Sequence, residues 1–370
     1  MRLLKQRGIS LVELMVSITV GLVLMAGVVQ LFLSSKVTFS TQSAITRVQE
    51  TGRLAIDFIA DDLRMAGYMG CANFAEKPVE NYLKDTTGLL YRFDKPIEGI
   101  DENVTDTGYP NRLSNSDALI LRSANSNMVG LQGTSESDRI YIENTGVEKK
   151  GCPNNKDKYS GFCEGDIVVV ASCSKGIVFQ ATKFEFANKL PTDDLPEVAP
   201  QAEEEAAVGS DAKYLVIYHE ANDGFDPGNN NGKGEWAERD YFGSDSQLLR
   251  VNTVFYYVAN NVTSGRPGLF RKVNDEVQEL LTGVEEMQLK YGLNTNSDRA
   301  PDKFVDAKDI PASEWDKVTA IKVELLVVST DENALDELQK YTFNGKLVTA
   351  PDRRMRQVFT STIAIRGRMP

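Results

Sequence analysis

The chain has 370 residues, with 53 acidic and 41 basic side chains and a formal net charge of −12. A composition of 41% hydrophobic and 25% charged residues is that of a globular protein, and it excludes a wholly disordered chain or a polytopic membrane protein. The acidic balance argues against duplex DNA as a partner over the whole surface, and a single histidine, His219, removes most histidine-based catalysis and His-rich metal sites.

The amino terminus joins a short basic segment to a long apolar one. Residues 1–8, MRLLKQRG, carry three basic side chains and no acid, and residues 14–33 carry no charge. Twenty helical residues span roughly 30 Å, the thickness of a hydrocarbon core. The one-sided basic flank places the amino terminus in the cytoplasm and the rest of the chain across the inner membrane. A plain signal anchor explains this pattern equally well.

Glu13 stands at the edge of the apolar segment and needs a reason to be there. A carboxylate beside a membrane-spanning stretch costs on the order of 2.5–3.5 kcal/mol unless it is paired. Cleavage between Gly8 and Ile9 would create an α-amine four residues before Glu13, and two chains shifted along their axes would bury amine and carboxylate as a pair. The alternative is that Glu13 only marks the helix start, where the macrodipole favours an acid.

The sequence GISLVE at residues 8–13, between a basic leader and an apolar run, resembles the class III signal of type IV prepilins. This resemblance implies that a membrane peptidase cleaves after Gly8 and methylates the new amino terminus at Ile9. It also implies that Glu13 serves in subunit docking. The chain departs from the family in one respect, because the first mature residue there is most often phenylalanine.

A long helix is predicted to follow. No proline occurs from Ile9 to Tyr68, and beyond Leu33 apolar residues recur at three, four and seven with charges between them. A near-continuous helix of about sixty residues would be roughly 90 Å long. Gly67 and Gly70 bracket its predicted end, as C-terminal capping glycines do.

A second resemblance concerns the end of this helix and the carboxyl-terminal region. Residues 53–71, RLAIDFIADDLRMAGYMGC, resemble the end of the long helix in PilW-type minor pilins. Residues 279–293 and 353–368 resemble the carboxyl regions of the same family. The first of these segments is expected to form a short helical turn, a glycine and a strand, and the second a terminal strand with an arginine cluster.

From residue 117 onward, apolar residues recur at every second position. These runs are rich in β-branched residues and are separated by turn residues, which predicts antiparallel sheet. The predicted fold class is therefore α+β and pilin-like, with a long amino-terminal helix, first transmembrane and then amphipathic, packed on an antiparallel β-sheet head domain. The predicted divisions are a prepilin leader (1–8), a transmembrane or filament-core helix (9–33), its amphipathic continuation (34–70) and a β-rich head outside the cytoplasm (71–370). Within the head, residues 188–211 hold three prolines and a cluster of acids and are predicted to be a surface loop or linker.

The four cysteines lie outside the cytoplasm in this arrangement, where disulfides persist. Three pairings of Cys71, Cys152, Cys163 and Cys173 are open from sequence. The preferred pairing joins Cys152 to Cys163 around a short polar loop, and Cys71 to Cys173 so that the helix end is tied to the sheet.

Residues 219–240 are the most site-like segment. Oxygen-bearing side chains near glycines there suggest a calcium loop, with candidate ligands Asp223, Asp226, Asn229, Asn231 and Glu235. Their spacing departs from the EF-hand loop, and a solvated turn is the alternative. No other cofactor is expected, and His219 is interpreted as a strand-end residue and not as a ligand.

Neither a P-loop, a Gly-x-Gly-x-x-Gly fingerprint nor a convincing nucleophile–base arrangement occurs, so no enzyme is predicted. A terminal basic cluster could meet the acids of a neighbouring subunit or DNA phosphate, and the alternative is that it pairs with the chain's own acidic excess. Its members are Arg353, Arg354, Arg356, Arg366 and Arg368.

The resemblance implies a minor pilin of a type IV pilus that helps to prime assembly or forms the tip complex. The implied partners are other minor pilins, the major pilin, a PilY-type tip adhesin, the prepilin peptidase and the inner-membrane assembly platform. The implied roles are twitching motility, adhesion or DNA uptake in natural competence. Three rival hypotheses are a minor pseudopilin of a type II secretion system, a single-pass, membrane-anchored periplasmic binding or sensor domain, and a direct DNA-uptake receptor.

Overall fold

The computed structural model of the chain describes residues 10–71, 79–104, 111–147, 152, 160–190, 212–221, 224–230, 236, 241–296, 298 and 300–365. Within these residues the chain forms one α-helix, α1 (Leu11–Met65), and seventeen strands. The strands are β1 (Glu80–Asn81), β2 (Ile97–Ile100), β3 (Ala118–Gly130), β4 (Arg139–Glu143), β5 (Ile167–Ala171), β6 (Gly176–Gln180), β7 (Lys183–Ala187), β8 (Tyr214–Tyr218), β9 (Gln247–Asn260), β10 (Pro267–Val273), β11 (Glu276–Thr282), β12 (Val284–Leu293), β13 (Lys303–Val305), β14 (Val318–Val328), β15 (Lys340–Phe343), β16 (Lys346–Thr349) and β17 (Arg356–Ala364). Two short 3-10 helices, Ala307–Asp309 and Trp315–Lys317, precede β14.

The helix α1 is continuous over 55 residues, which corresponds to roughly 80 Å. It ends where Gly67 and Gly70 adopt φ angles of +80° and +78°, a left-handed conformation that glycine takes without steric cost. The amide of Gly67 then donates to the carbonyl of Arg122 on β3 at 2.9 Å, so the turn leads directly into the sheet. The predicted long helix and its glycine-marked end are confirmed.

The strands form four sheets. The largest has eight strands. Six follow the order β1-β6-β5-β9-β10-β11, and the other two branch from it, with β3 pairing β9 and β2 pairing β3. The second has four strands in the order β13-β12-β14-β17, and β4-β8-β7 and β15-β16 form two smaller sheets. Among the described strand pairs only β1 with β6 is parallel. The predicted α+β class, with one long helix and an antiparallel-rich head, is therefore confirmed.

The main core lies between α1 and the four-stranded sheet. Alternate residues of β12 and β14 face the helix, because side chains on a strand alternate between its two faces. They are Met287, Leu289 and Tyr291 on β12 and Val323, Leu325 and Val327 on β14, all buried. A separate core lies where the β4-β8-β7 sheet covers β5 and β6.

The segment at residues 279–293 differs from its prediction. Residues 279–282 belong to strand β11 and not to a helical turn, since Glu279 pairs with Phe270 and Leu281 with Leu269 on β10. The chain then reverses at Gly283, whose φ is +96°, and enters β12 as expected. The expected helical turn is wrong because its cross-strand partners on β10 lie outside the local pattern. Of the acidic loop at 188–211, positions 191–211 lie outside the described residues.

Candidate assembly interface

The first half of α1, residues 11–39, is exposed along its whole length and is called the free segment below. This segment is long and apolar enough to cross a membrane. Its large apolar side chains are between 49% and 75% exposed: Leu11, Val12, Leu14, Met15, Val16, Ile18, Val20, Leu22, Val23, Leu24, Met25, Val28, Val29, Leu31, Phe32, Leu33, Val37 and Phe39. Water-soluble proteins rarely leave an apolar surface of this extent uncovered, so it indicates a lipid or protein environment.

The hydroxyl groups of Ser17 and Thr19, in the apolar part of the free segment, form hydrogen bonds within the helix. Ser17 donates to the carbonyl of Glu13 at 2.7 Å, and Thr19 donates to the carbonyls of Met15 and Val16 at 3.1 and 2.9 Å. Such bonds to the preceding turn remove the need for an outside partner. The segment can therefore lie in hydrocarbon without leaving these donors unpaired.

Glu13 lies in the first turn of α1 and is exposed. Residues 14–35 contain no charged side chain. Between Leu11 and Val37, Glu13 and Lys36 are therefore the charged side chains, one near each end of the apolar surface. The candidate cleavage and methylation residues, Gly8 and Ile9, lie outside the described residues. The docking role of Glu13 stays a prediction.

The second half of α1, residues 40–65, packs on the head and is called the docked segment. Its buried side is made of small residues together with Val48, Ile59 and Leu63. Gly52 faces the aromatic ring of Phe359 on β17, and a Cβ atom placed on Gly52 would overlap that ring. A glycine in mid-helix costs about 1 kcal/mol relative to alanine, so its presence here is explained by the close approach of helix and sheet.

A polar cluster fixes the end of the docked segment. The carboxylate of Asp62 accepts hydrogen bonds from the hydroxyl of Tyr256 at 2.6 Å and from the guanidinium of Arg271 at 2.8 Å. The Tyr256 hydroxyl also contacts the carbonyl of Phe58 at 3.1 Å. Burial, with the nearby Asp62 charge, raises the pKa of Tyr256 above its usual range, so the phenol stays a donor at any physiological pH. Sequence reasoning missed this cluster because its three members are far apart in the chain.

The head also contacts α1 near residue 41. The hydroxyl of Thr41 donates to the carbonyl of Ala334 at 2.8 Å, and the neighbouring Asn333 bridges to Arg353, just before β17. Farther along, Gly52 meets Phe359. Helix and strand therefore run in the same direction, and the start of β17 lies on the side of the head nearest the free segment.

Both disulfide bonds are present, Cys71–Cys173 and Cys152–Cys163, which is the preferred pairing. The first joins the end of the helical region to the turn between β5 and β6. The second closes a loop with a sequence separation of 11 residues.

The described members of the arginine cluster form contacts within the chain. Arg356 is buried and donates to the carboxylates of Glu285 and Asp352 at 2.7 and 2.6 Å. Burial alone lowers the pKa of this guanidinium, and the two carboxylates outweigh burial and raise it. Arg354 lies before β17 and pairs with Glu332 at 3.2 Å.

Arg353 donates to the side chain of Asn333. The alternative of pairing within the chain therefore holds for Arg354 and Arg356, whose guanidinium groups contact carboxylates of the chain itself. The remaining members, Arg366 and Arg368, lie outside the described residues.

The calcium prediction finds no support. Asn229 is buried and forms structural bonds: its Oδ1 accepts from the amide of Gln180 at 2.8 Å, and its Nδ2 donates to the carbonyl of Gln180 at 2.8 Å. The backbone carbonyl of Asp226 accepts from the Gln180 side chain. In the part of the chain that the structure describes, no group of three or more His, Cys, Asp or Glu side chains could hold a metal. The other candidate ligands, Asp223, Asn231 and Glu235, lie outside that part.

His219 follows β8 directly and is 1% exposed. Its ring stacks on Trp236 at 4.0 Å between centroids, and Phe179 lies at 5.1 Å. The interpretation as a strand-end residue agrees with this position, in which the imidazole is part of an aromatic core.

Asp117, just before β3, has the most perturbed carboxyl described. Burial raises its pKa to about 7. Its two oxygens accept from the backbone amides of Glu102 and Leu289 at 2.8 and 2.7 Å. Both oxygens are therefore used to hold the β3 region against β12, which indicates a structural role and not acid–base catalysis.

Two family models match the chain. Residues 3–29 match the family described as "Prokaryotic N-terminal methylation motif", and residues 255–367 match the one described as "Type IV Pilus-assembly protein W". The first match covers Glu13 and much of the free segment, and the second runs from β9 through β17 and includes the sheet on which α1 docks. No curated protein and no solved structure matches the chain.

Proposed function

We propose that this chain is a PilW-type minor pilin of the type IV pilus that helps to prime pilus assembly or forms part of the tip complex. It is anchored in the membrane by α1, with its head outside the cytoplasm. The observation that carries the proposal is the exposed free segment, joined without a break to the docked segment. Before assembly, lipid covers this apolar surface. In the filament, the corresponding helices of neighbouring subunits replace the lipid.

Glu13 sets the axial offset at which the helices of neighbouring subunits pack when they replace the lipid. A membrane peptidase cleaves after Gly8, and the amine of Ile9, once methylated, still carries a positive charge. An amine and a carboxylate that are each costly in an apolar setting gain most when they pair across two subunits. Entry into the filament is therefore favoured at the helix offset that brings the Glu13 carboxylate to a neighbouring amino terminus.

Processing is tested on the full chain isolated from cells. Mass spectrometry of the amino terminus is expected to find Ile9 first, carrying one methyl group. Gly8→Ala should retain the eight-residue leader. An intact leader in the unaltered protein would contradict the proposal and support the membrane-anchored binding domain instead.

Docking is tested by the share of the subunit found in sheared pili relative to the membrane. Glu13→Ala should leave processing intact and reduce that share at least about tenfold, because the pair offsets a carboxylate cost on the order of 2.5–3.5 kcal/mol. Glu50→Ala is the matched control, since Glu50 is an exposed acid on the docked segment. An unchanged share for Glu13→Ala would remove the docking role.

The proposed partners are other minor pilins, the major pilin, the prepilin peptidase, the inner-membrane assembly platform and a PilY-type tip adhesin. Cross-linking in cells followed by purification of the full chain is expected to recover pilus subunits. Recovery of an outer-membrane secretin and exported enzymes in their place would indicate a type II pseudopilin. Twitching, adhesion and DNA uptake are the phenotypes expected to fall when the chain is deleted.

A further inference from the structure

The strand β17 leaves one edge of the four-stranded sheet open. It is the last strand in the sheet order and pairs with β14 over its whole length. The amide of Ile365 donates to the carbonyl of Thr319, and the amide of Ser329 donates to the carbonyl of Met355. Because hydrogen-bonded pairs recur at every second residue in an antiparallel ladder, odd-numbered residues of β17 bond to β14 and even-numbered residues direct their backbone groups outward.

The side chain of Gln339 confirms this alternation. Its Nε2 donates to the carbonyl of Arg356 at 2.7 Å, and its Oε1 accepts from the amide of Arg356 at 2.8 Å, as a neighbouring strand would do. Beyond Arg356 no hydrogen bond across the edge occurs within the described residues. The outward backbone groups left there are those of Val358, Thr360, Thr362 and Ala364. They cover about 20 Å of edge at 3.4 Å per residue.

The composition of this edge is unusual for an exposed strand. Residues 357–364, QVFTSTIA, contain neither a charge nor a proline. The other described strands at sheet edges are short or charged, for example β13 with Lys303 and β11 with Glu276 and Glu279. Natural proteins use such features to prevent strand pairing, and β17 lacks them beyond its first residue.

We propose that the edge at residues 358–364 accepts an extended segment of a different polypeptide of the pilus as a fifth strand. The proposal rests on the proposed function, because that function supplies neighbouring subunits. Thr360 and Thr362 are exposed, and Val358 is half-buried, on the face away from α1. The added segment is therefore uncharged and rich in Thr, Ser or Val at alternate positions, since such side chains pair favourably across strands.

The direction of α1 argues against a second copy of this chain in the usual antiparallel arrangement. Helix and β17 run the same way, as the contacts of Thr41 and Gly52 show. Two copies joined by antiparallel β17 strands would therefore point their free segments in opposite directions. Both free segments could not then lie in one membrane or in one filament core.

The test uses proline, which removes one backbone donor. Thr360→Pro and Thr362→Pro each delete an outward amide and keep the β14 ladder, as proline on the open side of an edge strand does. Thr360→Val and Thr362→Val are the matched controls. Ser361→Pro deletes an inward amide and should unfold the sheet. Each full-length variant is measured for melting temperature in detergent and for its share in sheared pili relative to the membrane.

The outward prolines are expected to melt close to their valine controls and to enter pili at least tenfold less. Equal entry of the proline and valine variants would overturn strand addition. A melting temperature for Thr362→Pro as low as that for Ser361→Pro would overturn the assigned alternation. The double variant Thr360→Lys/Thr362→Lys keeps all backbone groups and should also reduce entry tenfold, so normal entry of this variant overturns the proposal even where the prolines fail to fold.

Two outcomes distinguish a failure of strand addition from a failure of the proposed function. Absence of the unaltered chain from pili would contradict the proposed function itself, whereas normal entry of every edge variant contradicts only strand addition. Photo-cross-linking from a benzophenone maleimide attached to Thr360→Cys, in assembled pili, should yield a heterologous product, because the excited ketone inserts into C–H bonds of whatever segment lies beside it. A product with twice the mass of the chain would assign the edge to a second copy and overturn the partner proposed here.

Discussion

The two halves of α1 share one continuous backbone and differ in what covers them. The free segment exposes Leu, Val, Met and Phe side chains along 29 residues, whereas the docked segment buries Ala44, Gly52, Ala55 and Ala60 against strands. Small residues let the helix axis approach the sheet closely, and large ones present the most apolar area to surroundings that are not part of this chain. Helix formation is thus common to both halves, and the covered half differs from the exposed one in the small residues that it places against the sheet.

The largest expected effect concerns the disulfide that follows the docked segment. Replacing Cys71 and Cys173 with serine opens a link with a sequence separation of 102 residues, which the chain-entropy model values at about 4.7 kcal/mol. Replacing Cys152 and Cys163 opens a separation of 11 and should cost under about 3 kcal/mol. Denaturant unfolding of the full chain in detergent measures both. Equal losses, or a loss of helix in the free segment, would contradict the comparison.

Glycine substitutions contrast the two halves most directly. Gly52→Ala should destabilise the head by about 1–3 kcal/mol, because the new methyl group overlaps the ring of Phe359. Gly21→Ala adds the same methyl group in open space on the free segment and should leave head unfolding unchanged. Melting of the two variants measures the difference. Recovery of stability in Gly52→Ala/Phe359→Leu would identify the contact, and equal melting temperatures would refute it.

Two neighbouring acids provide a smaller contrast within the docked segment. Asp62→Ala removes the acceptor of Tyr256 and Arg271 and should cost about 1–3 kcal/mol. Asp61→Ala breaks only an exposed pair with Arg64 and should change stability by less than about 1 kcal/mol. Chemical denaturation of both variants under the same conditions measures the two losses in the free energy of unfolding. A larger loss for Asp61→Ala would mean that the cluster does not hold the helix end.

The smallest effect is a pH dependence confined to the head. Burial raises the pKa of Asp117 to about 7 from 3.8, so between these values the folded head holds a proton that the unfolded chain releases. The stability from this group is therefore full below about pH 4 and is lost as the pH rises through 7.

The expected loss from pH 6 to pH 8 is about 1–2 kcal/mol, measured as the difference in pH profile between the unaltered chain and Asp117→Asn. Helix content of the free segment should not change with pH. Parallel profiles for the two proteins would show that Asp117 does not titrate in this range.

Local patterns predicted a large part of the fold. The helix was predictable because an uncharged stretch, an amphipathic stretch and the absence of proline act along one continuous segment. Several strands, among them β5, β9, β14 and β17, fall on the alternating apolar runs because side-chain alternation is also local. Residues 279–282 were not predicted correctly, since their strand state depends on β10.

The interface was only partly predictable for the same reason. Glu13 stands out locally, as an acid beside a charge-free run. The partners of Asp62 lie 194 and 209 residues away in sequence, so their convergence needs the fold. The glycine at position 52 was a usable signal, because a glycine in the middle of an amphipathic helix suggests a close neighbour. Asn229 was wrongly predicted as a calcium ligand, because its amide side chain forms hydrogen bonds with the backbone of Gln180 at the end of β6.

The unbroken α1 has a consequence for how the head is aimed. An α-helix turns by about 100° per residue, and α1 contains no proline that would kink it. Inserting one residue between Leu33 and Ala44 would therefore rotate the whole head about the axis of α1 by about 100° and move it along that axis by only about 1.5 Å. The number of residues in α1 before the docked segment therefore sets the rotational orientation of the head relative to the free segment.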